Sequence, residues 1–379
     1  MADGARLHAG LELEFRWDSM AGIGQFEGQR FGELVLNPPD LVLHLRPGLR
    51  LEAPGAQAAF TGAARLDYAR YSGAVADTSG LSFLGVAADA QLAFGKDGPA
   101  SFTVADHFSR SDRTTNPSLG LGSITDANSA EARLDLRPGG GALEAGLGYA
   151  FVFETYEFDR RGACPPPTCD ATKYPGFASQ THRFSLDARW RFLPKTAFVI
   201  EAAVAPRSYS AASGNVTTAP LRAVGGLAGL LTEKVRLALK AGYANTFAGA
   251  GQNFAGLVGQ VEVGWLPRET ATLTLGLSRS AEAVSDVYGW YDDLRAYASA
   301  SMLLGGRLAL SASFAFDVLR FGNQDRIDTQ VQASVSAEWE LHALLRVAVG
   351  EVLAARDSNA GFAYTFTRSE TFARLTLAY

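Results

Sequence analysis

The sequence predicts an all-β protein, a transmembrane, antiparallel, up-and-down β-barrel of about 18 strands. Three observations lead to this prediction. Long segments alternate apolar and polar residues, their connections alternate between short and long, and aromatic residues cluster near strand ends. Each feature is typical of barrels in the bacterial outer membrane. We therefore expect residues 1–379 to form a single barrel domain located in that membrane.

The composition excludes several other classes of protein. Basic residues number 34 and acidic residues 39, so the chain lacks the basic excess of a nucleic-acid binder. Hydrophobic residues make up 47% and charged residues 19%, which is unlike a disordered chain. No apolar run approaches the ~18 residues of a transmembrane helix. The 40 Gly residues are scattered through apolar segments, where each would cost a helix ~1 kcal/mol.

The alternation is clearest in residues 330–341. Every second residue there is Val, Ala, Trp or Leu, and the residues between them are Gln, Ser and Glu. Only a strand has a period of two. Residues 183–192 and 7–17 follow the same pattern. These segments exceed the ~5–6 residues of an ordinary strand and match the ~9–11 residues of a tilted membrane strand.

Marking every such segment gives eighteen predicted strands, an even number, in chain order. They cover residues 6–18, 40–52, 57–72, 80–95, 99–113, 123–137, 142–159, 178–193, 196–210, 219–232, 235–248, 253–266, 270–283, 287–304, 307–321, 326–341, 343–357 and 361–379.

The connections between these segments alternate in length. The tight ones lie at 53–56, 95–98, 138–141, 194–195, 232–234, 267–269, 305–306 and 342. The longer, polar ones lie at 19–39, 73–79, 114–122, 160–177, 211–218 and 322–325, while 249–252 and 358–360 are short. Short turns on one side and longer loops on the other are typical of an outer-membrane barrel.

The aromatic residues provide an independent indication. Trp190, Trp265, Trp339 and the terminal Tyr379 lie near short turns on the apolar face, as expected of an aromatic girdle at the membrane interface. Trp17, Tyr243 and Tyr288 lie toward the other rim. The alternative is that these are core aromatics of a large soluble β-sandwich or propeller. We favour the membrane-interface interpretation over this alternative, because nothing in a soluble sheet would concentrate Trp residues near one end of the strands.

The chain termini bear on location. No basic segment followed by an apolar segment precedes the first strand, so the protein is either cytoplasmic or Met1 stands in place of a removed signal peptide. The last strand alternates apolar residues up to its terminal aromatic, as bacterial outer-membrane barrels do. The barrel pattern favours a removed signal peptide and the outer membrane.

The sequence offers little support for an enzyme. Cys164 and Cys169 flank a Pro-rich loop segment, where a disulfide is favoured over metal binding because further ligands are missing nearby. The five His residues are spread singly. Asp106 and His107 are adjacent and form half of a conceivable hydrolytic site, although polar lining at a strand end explains them better. We predict no catalytic residues, no metal and no cofactor.

The polar face of the strands is predicted to line a lumen. At about eighteen strands, a barrel is wide enough for an aqueous channel. Both signs of charge are interspersed, which suits a hydrated polyhydroxyl solute, although the charges could instead pair and fill the lumen. The predicted pore-lining residues are Glu12, Glu14, Arg16, Arg46, Arg65, Asp67, Arg133, Asp135, Asp187, Arg189, Arg191, Lys240, Glu262, Asp317, Arg346 and Arg374.

Four segments carry a resemblance to a known family. Residues 253–259 (NFAGLVG), 265–268 (WLPR), 272–280 (TLTLGLSRS) and 40–49 (DLVLHLRPGL) are similar to the outer-membrane β-barrel porin family of exopolysaccharide-secretion systems. The resemblance implies a barrel, often of eighteen strands, that passes a polysaccharide across the outer membrane. It also implies a periplasmic polysaccharide export protein as a partner beneath the barrel.

Three functional hypotheses follow. The first is an integral outer-membrane pore that translocates an exopolysaccharide to the cell surface, with lipid, the polysaccharide and a periplasmic export protein as partners and no nucleic acid. The alternative is a general or sugar-selective diffusion porin, which works alone and serves uptake. A barrel-embedded hydrolase is a third hypothesis from a different class.

Overall fold

The computed structural model describes residues 4–20, 39–55, 57–73, 82–96, 98–112, 123–158, 178–211, 214–247, 253–285, 289–322, 325–360 and 365–378. These residues form a closed, antiparallel β-barrel with no α-helix among them. In chain order the strands are β1 Arg6–Asp18, β2 Asp40–Ala53, β3 Ala58–Tyr71, β4 Phe83–Phe94, β5 Ala100–Ser111, β6 Ser123–Leu136, β7 Leu143–Phe158, β8 Ser179–Leu193, β9 Thr196–Val204, β10 Arg207–Ala211, β11 Gly214–Thr218, β12 Leu221–Leu230, β13 Val235–Asn245, β14 Ala255–Arg268, β15 Ala271–Ser285, β16 Gly289–Leu304, β17 Leu308–Phe321, β18 Ile327–His342, β19 Leu345–Ser358 and β20 Phe366–Ala378.

The twenty strands make eighteen barrel strands, as predicted. β10 continues β9 along β8, and β12 continues β11, so each of these two pairs forms one interrupted barrel strand. Each other strand pairs with its sequence neighbours, and β1 pairs with β20 to close the sheet. Closure leaves no strand edge unpaired, which a barrel in lipid requires.

One predicted loop is instead a hairpin. Residues 211–218 were expected to be a polar connection, but β10 and β11 pair there and lengthen two strands. Pro206 and Pro220 interrupt both strands at the same level, where proline has no N–H to donate to the ladder. The Ala205 N–H donates to the Pro220 carbonyl at 2.9 Å and keeps the two strands together. Because of the prolines and the polar composition, the sequence pattern predicted a loop here and not an extension of the two strands.

Most short turns lie where the sequence predicted them, but those predicted at 267–269 and 342 lie at 269–270 and 343–344, because the preceding strands extend to Arg268 and His342. Gly305 and Gly306 form the β16–β17 turn with φ of 56° and 72°, values that residues with a Cβ seldom adopt. Two successive positive φ angles match the twist of a tight hairpin. A 3-10 turn, Pro138–Gly141, joins β6 to β7. All eight short turns therefore lie at one rim of the barrel, which we name the short-turn rim.

The two faces of the sheet differ in polarity. Outward-facing Leu257 on β14 is 75% exposed, whereas its sequence neighbour Val258 is buried. The same contrast holds on β1, where Phe15 and Trp17 are exposed while Glu14 and Arg16 are buried. Within the described ranges, no helix is long and apolar enough to cross a membrane. A closed barrel with this apolar outer surface is a bacterial outer-membrane protein.

Candidate functional site in the barrel lumen

The inward face of the barrel carries most of its charged side chains. Cross-strand register and alternating exposure place all sixteen predicted pore-lining residues on that face. Whether they line a conducting pore stays a prediction. The structure adds which of them contact one another, a property that depends on register and that the sequence does not reveal.

The densest cluster surrounds Glu14 on β1. Its carboxylate is fully buried and accepts hydrogen bonds from three guanidinium groups, those of Arg16, Arg46 and Arg374. Arg46 Nη1 lies 3.2 Å and Arg374 Nη2 2.7 Å from Glu14 Oε2. Glu12 binds Arg46 and lies 3.5 Å from Arg374. This network joins β20, β1 and β2 across the line where the barrel closes.

A second network extends the first onto β3. Asp67 lies 2.8 Å from both Arg46 Nε and His44 Nδ1. Above it, toward the long loops, Arg368 binds Asp18 at 2.5 Å and Glu370 at 3.0 Å. Charges in this part of the wall therefore pair with one another, as one alternative expected; whether they also fill the lumen stays a prediction.

Elsewhere the predicted lining residues form smaller groups. Arg133 lies 2.8 Å from both Asp135 and Asp187, and Lys240 lies 2.5 Å from Glu201. Across the lumen wall, the Tyr297 hydroxyl donates to Glu262 at 2.7 Å. Further ion pairs of these residues are Arg191–Glu144 at 2.7 Å, Arg295–Asp317 at 3.6 Å and Arg346–Glu338 at 3.8 Å.

Among the predicted basic lining residues, Arg65 and Arg189 are the two that form no ion pair with a described residue. Both guanidinium groups face the lumen, Arg65 from β3 and Arg189 from β8. Within the described wall they are therefore the predicted lining residues best placed to meet an anionic group of a solute.

Charge is unevenly distributed around the inward face. On β8 to β13 the inward positions hold seven basic residues and two acidic ones: Arg183, Arg189, Arg191, Arg207, Arg222, Arg236 and Lys240 against Asp187 and Glu201. On β14 to β18 they hold seven acidic residues and one basic one: Glu262, Glu282, Asp293, Asp317, Asp328, Glu338 and Glu340 against Arg295. A basic sector thus adjoins an acidic sector, although the sequence suggested an even mixture.

An uncharged patch interrupts the acidic sector. Six serines on three adjacent strands face the lumen, and we name them the serine patch: Ser299, Ser301, Ser311, Ser313, Ser334 and Ser336. The Ser311 and Ser336 hydroxyl oxygens are 2.7 Å apart, as are those of Ser313 and Ser334. The sequence shows part of this arrangement, since each of the three strands has two Ser residues separated by one residue. Only the register between the strands shows that the three pairs of Ser residues lie side by side.

The lumen wall is more exposed toward the short-turn rim. There the Arg50 and Arg346 side chains are 60% and 49% exposed. Near the long loops, Asp18 and Asp328 are 1% and 0% exposed. Solute entering from the short-turn side therefore meets accessible charges first.

The conceivable Asp106–His107 site does not exist. Adjacent residues in a strand point to opposite faces, so His107 faces the lumen, where its Nδ1 lies 2.6 Å from Asp89, while Asp106 points outward. In the described part of the chain, no group of three or more His, Cys, Asp or Glu side chains could hold a metal ion.

The other predicted site residues fall into two groups. Trp190, Trp265 and Trp339 point outward near the short-turn rim and are about half exposed. Their role as an aromatic girdle stays a prediction. Tyr379, Cys164 and Cys169 lie outside the described residues, as does Tyr288.

Comparison with known proteins supports the architecture. The siderophore receptor PirA from Pseudomonas aeruginosa has a TM-score of 0.51 and 8% identity, over 99% of this chain and 80% of PirA. OccAB3 from Acinetobacter baumannii has a TM-score of 0.51 and 9% identity, over 99% of both chains. The FrpB iron transporter from Neisseria meningitidis has a TM-score of 0.52 and 10% identity over 92% of this chain, which spans 61% of FrpB.

Identities this low indicate a shared fold alone. No protein-family model matches the chain, and no curated protein matches it in sequence. The resemblance to the exopolysaccharide-secretion family therefore stays a prediction. The chain is an outer-membrane barrel that shares its fold with these receptors and transporters.

Proposed function

We propose that the barrel is a pore that translocates an exopolysaccharide across the outer membrane, working with a periplasmic polysaccharide export protein. The observation that carries the proposal is the serine patch in the wall of an eighteen-strand lumen. A polysaccharide offers hydroxyl groups along its whole length, and a wall that exchanges hydrogen bonds with them suits its passage.

The chemistry of the patch favours movement over tight binding. Each serine hydroxyl donates one hydrogen bond and accepts up to two, so the Ser311–Ser336 and Ser313–Ser334 pairs can exchange partners with sugar hydroxyls or water. A hydrogen bond exchanged in this way contributes only ~1 kcal/mol net. The absence of charge on the six patch side chains avoids strong electrostatic trapping of the polymer.

Replacing the patch tests the role of its hydroxyls. We expect the double variant Ser313→Val with Ser334→Val, expressed in a deletion strain, to restore less surface polysaccharide than the wild-type gene. Ser109→Val, at an inward position of β5, is the matched control and should restore it fully. Normal surface polysaccharide in the deletion strain itself would reject the export function.

The short-turn rim is the surface available to a periplasmic partner. It carries exposed charges, among them Lys234 in the β12–β13 turn and Arg268 at the end of β14. Exposed charges contribute little to folding but steer association.

Charge reversal at both positions should reduce polymer export while the barrel still assembles, as judged by heat-modifiable gel migration. Unchanged export in this variant would contradict the proposal that the periplasmic partner docks at the short-turn rim.

The accessible lumen wall near the short-turn rim favours a second candidate, a general or sugar-selective diffusion porin. A porin conducts without a partner. Purified barrel in liposomes should then admit small sugars at a steady rate, and the deletion strain should show reduced sugar uptake with normal surface polysaccharide. An export pore gives the opposite pair of results.

A further inference from the structure

Each strand has a partner on both sides, but the ladder between β14 and β15 ends before these two strands do. Its last pair toward the long loops is Gly259 with Arg279, although β14 begins at Ala255 and β15 continues to Ser285. Beyond that pair, the end of β15 pairs only with β16 among the described strands. The end of β15 is therefore able to leave the line of the barrel wall.

Two residues in the end of β15 are buried where an outward side chain should be exposed. Leu277 faces outward and is 57% exposed. A period of two places Ala281 and Ala283 on the same face, yet they are 9% and 1% exposed. On β14, Leu257 is 75% exposed, although the register would set it opposite Ala281. The end of β15 is therefore covered by protein, while its expected neighbour on β14 is left uncovered.

The inner face of β12 to β14 covers the end of β15. Ala281 belongs to a buried apolar cluster whose other members are Val224, Ala244, Phe254 and Val258. Three of these lie at inward positions on β12, β13 and β14. Trp290, which pairs with Ala283, packs against the same cluster, with its ring centroid 5.3 Å from that of Phe254. The outward face of β15 thus lies on the inward face of its neighbours, so the end of β15 passes inside β14.

A hydrogen bond across the lumen locates the end of β15 independently. Arg207 Nη1 on β10 donates to the Ala283 carbonyl at 2.7 Å, and its Nε donates to the Thr181 hydroxyl at 2.8 Å. Three barrel strands separate β10 from β15, so at ~4.8 Å per strand the wall between them measures ~19 Å. An arginine side chain cannot span that distance along the wall. The end of β15 therefore lies within the lumen.

We propose that residues 280–283 of β15, with Trp290 of β16, form a flap that narrows the lumen near the long loops and opens to let solute pass. Packed sheets lie ~10 Å apart, so the closed flap takes about that width from the channel. The flap opens when the end of β15 moves outward and extends its ladder with β14.

The closed and open states of the flap exchange one set of contacts for another. The closed state has the two buried alanines and the Arg207 hydrogen bond. In the open state, the continued register pairs Leu257 with Ala281 and adds hydrogen bonds to the ladder. Each state therefore has contacts that the other lacks, as a two-state element requires.

The flap controls passage through the lumen whatever the solute is. It applies equally to export and to uptake, so rejection of the export function would leave it in place. Its tests use purified barrel in liposomes, where neither a polymer nor a periplasmic partner is needed, and measure the influx of small sugars.

A disulfide that fixes the extended ladder tests the open state. In a background with Ser at both native cysteine positions, Leu257→Cys with Ala281→Cys should cross-link on mild oxidation, because opposite side chains in a ladder lie ~5 Å apart. Influx should then rise at least about tenfold, since a minor state of ~10% or less becomes the only state. Val261→Cys with Leu277→Cys is the control, because this outward pair is already opposite in the existing ladder and should cross-link without changing influx.

Reduction of the Leu257–Ala281 disulfide should return influx to its starting value. Failure of this pair to cross-link, or cross-linking with unchanged influx, would overturn the proposal. So would a wild-type barrel that admits sugars as fast as the oxidised variant, because the flap would then not narrow the path.

Removing the hydrogen bond across the lumen tests the closed state. A hydrogen bond from a charged donor is among the stronger ones, so Arg207→Ala should raise influx at least about tenfold. Arg236→Ala is the matched control, because it removes an inward arginine that bonds to Thr274 and not to the flap, and it should leave influx nearly unchanged. Heat-modifiable migration checks the fold of each variant. Equal influx through Arg207→Ala and the wild type, or an equal rise with Arg236→Ala, would overturn the proposal.

Discussion

The network around Glu14 allows a quantitative prediction about barrel stability. Glu14→Gln retains the size of the side chain but removes the charge that three arginines share. The amide also presents donors where the guanidinium groups need acceptors. Because the Glu14 side chain is 0% exposed, water cannot compensate for the loss. Breaking a buried ion pair costs about 3–5 kcal/mol, and we expect a loss of that size in the free energy of unfolding.

A matched variant in an exposed pair provides the control. Glu338 lies 3.8 Å from Arg346, and both side chains are more than 40% exposed. Exposed pairs contribute about 0–1 kcal/mol, so Glu338→Gln should be nearly neutral. The assay is urea unfolding of the lipid-refolded barrel followed by tryptophan fluorescence, with Ser replacing both native cysteines. A loss below about 1 kcal/mol for Glu14→Gln, or equal losses for both variants, would refute the argument that this network stabilises the closure of the barrel.

Three further predictions concern the faces, the turns and the loops. Leu186→Arg, on the outward face of β8, should cost about 2–4 kcal/mol in the same assay, whereas inward Ser185→Arg should cost much less; equal costs would contradict the assigned faces. Gly306→Ala should cost about 1 kcal/mol because its φ of 72° strains an alanine; a neutral or stabilising change would show that the turn relaxes. Cys164 and Cys169 should react with an impermeant maleimide on intact cells only after reduction, and labelling without a reductant would show free thiols.

Much of the fold could be predicted because its signals are local. A period of two assigns each residue of a long strand to one face, so the inward position of Glu262 and the outward position of Trp339 followed from their neighbours in sequence. The prediction was wrong at 211–218, where β10 and β11 extend two strands beyond proline interruptions. The proline and polar residues there are typical of a loop, but the two segments nevertheless pair with each other as strands.

Asp106 and His107 show that adjacency in sequence can also suggest a contact that the structure does not have. Their adjacency in sequence suggested proximity, but in a strand adjacent side chains diverge. The residue that His107 does contact is Asp89, 18 positions away. The outward orientation of Glu351 was also not recognised from the sequence, because a single acidic residue at an apolar position leaves the alternation of a long strand intact.

The sequence by itself therefore determined the number of barrel strands, the face of most residues and the rim at which the turns are short. Only the tertiary structure decided which side chains meet: the arginines around Glu14, the six serines of the serine patch, and Glu351 with the hydroxyls of Ser369 and Thr371. The physical reason is that the face of a residue depends on its immediate neighbours, whereas its contacts depend on strand register and on barrel closure. Closure brings Arg16 to Glu370 across 354 positions of sequence, and no local pattern contains that information.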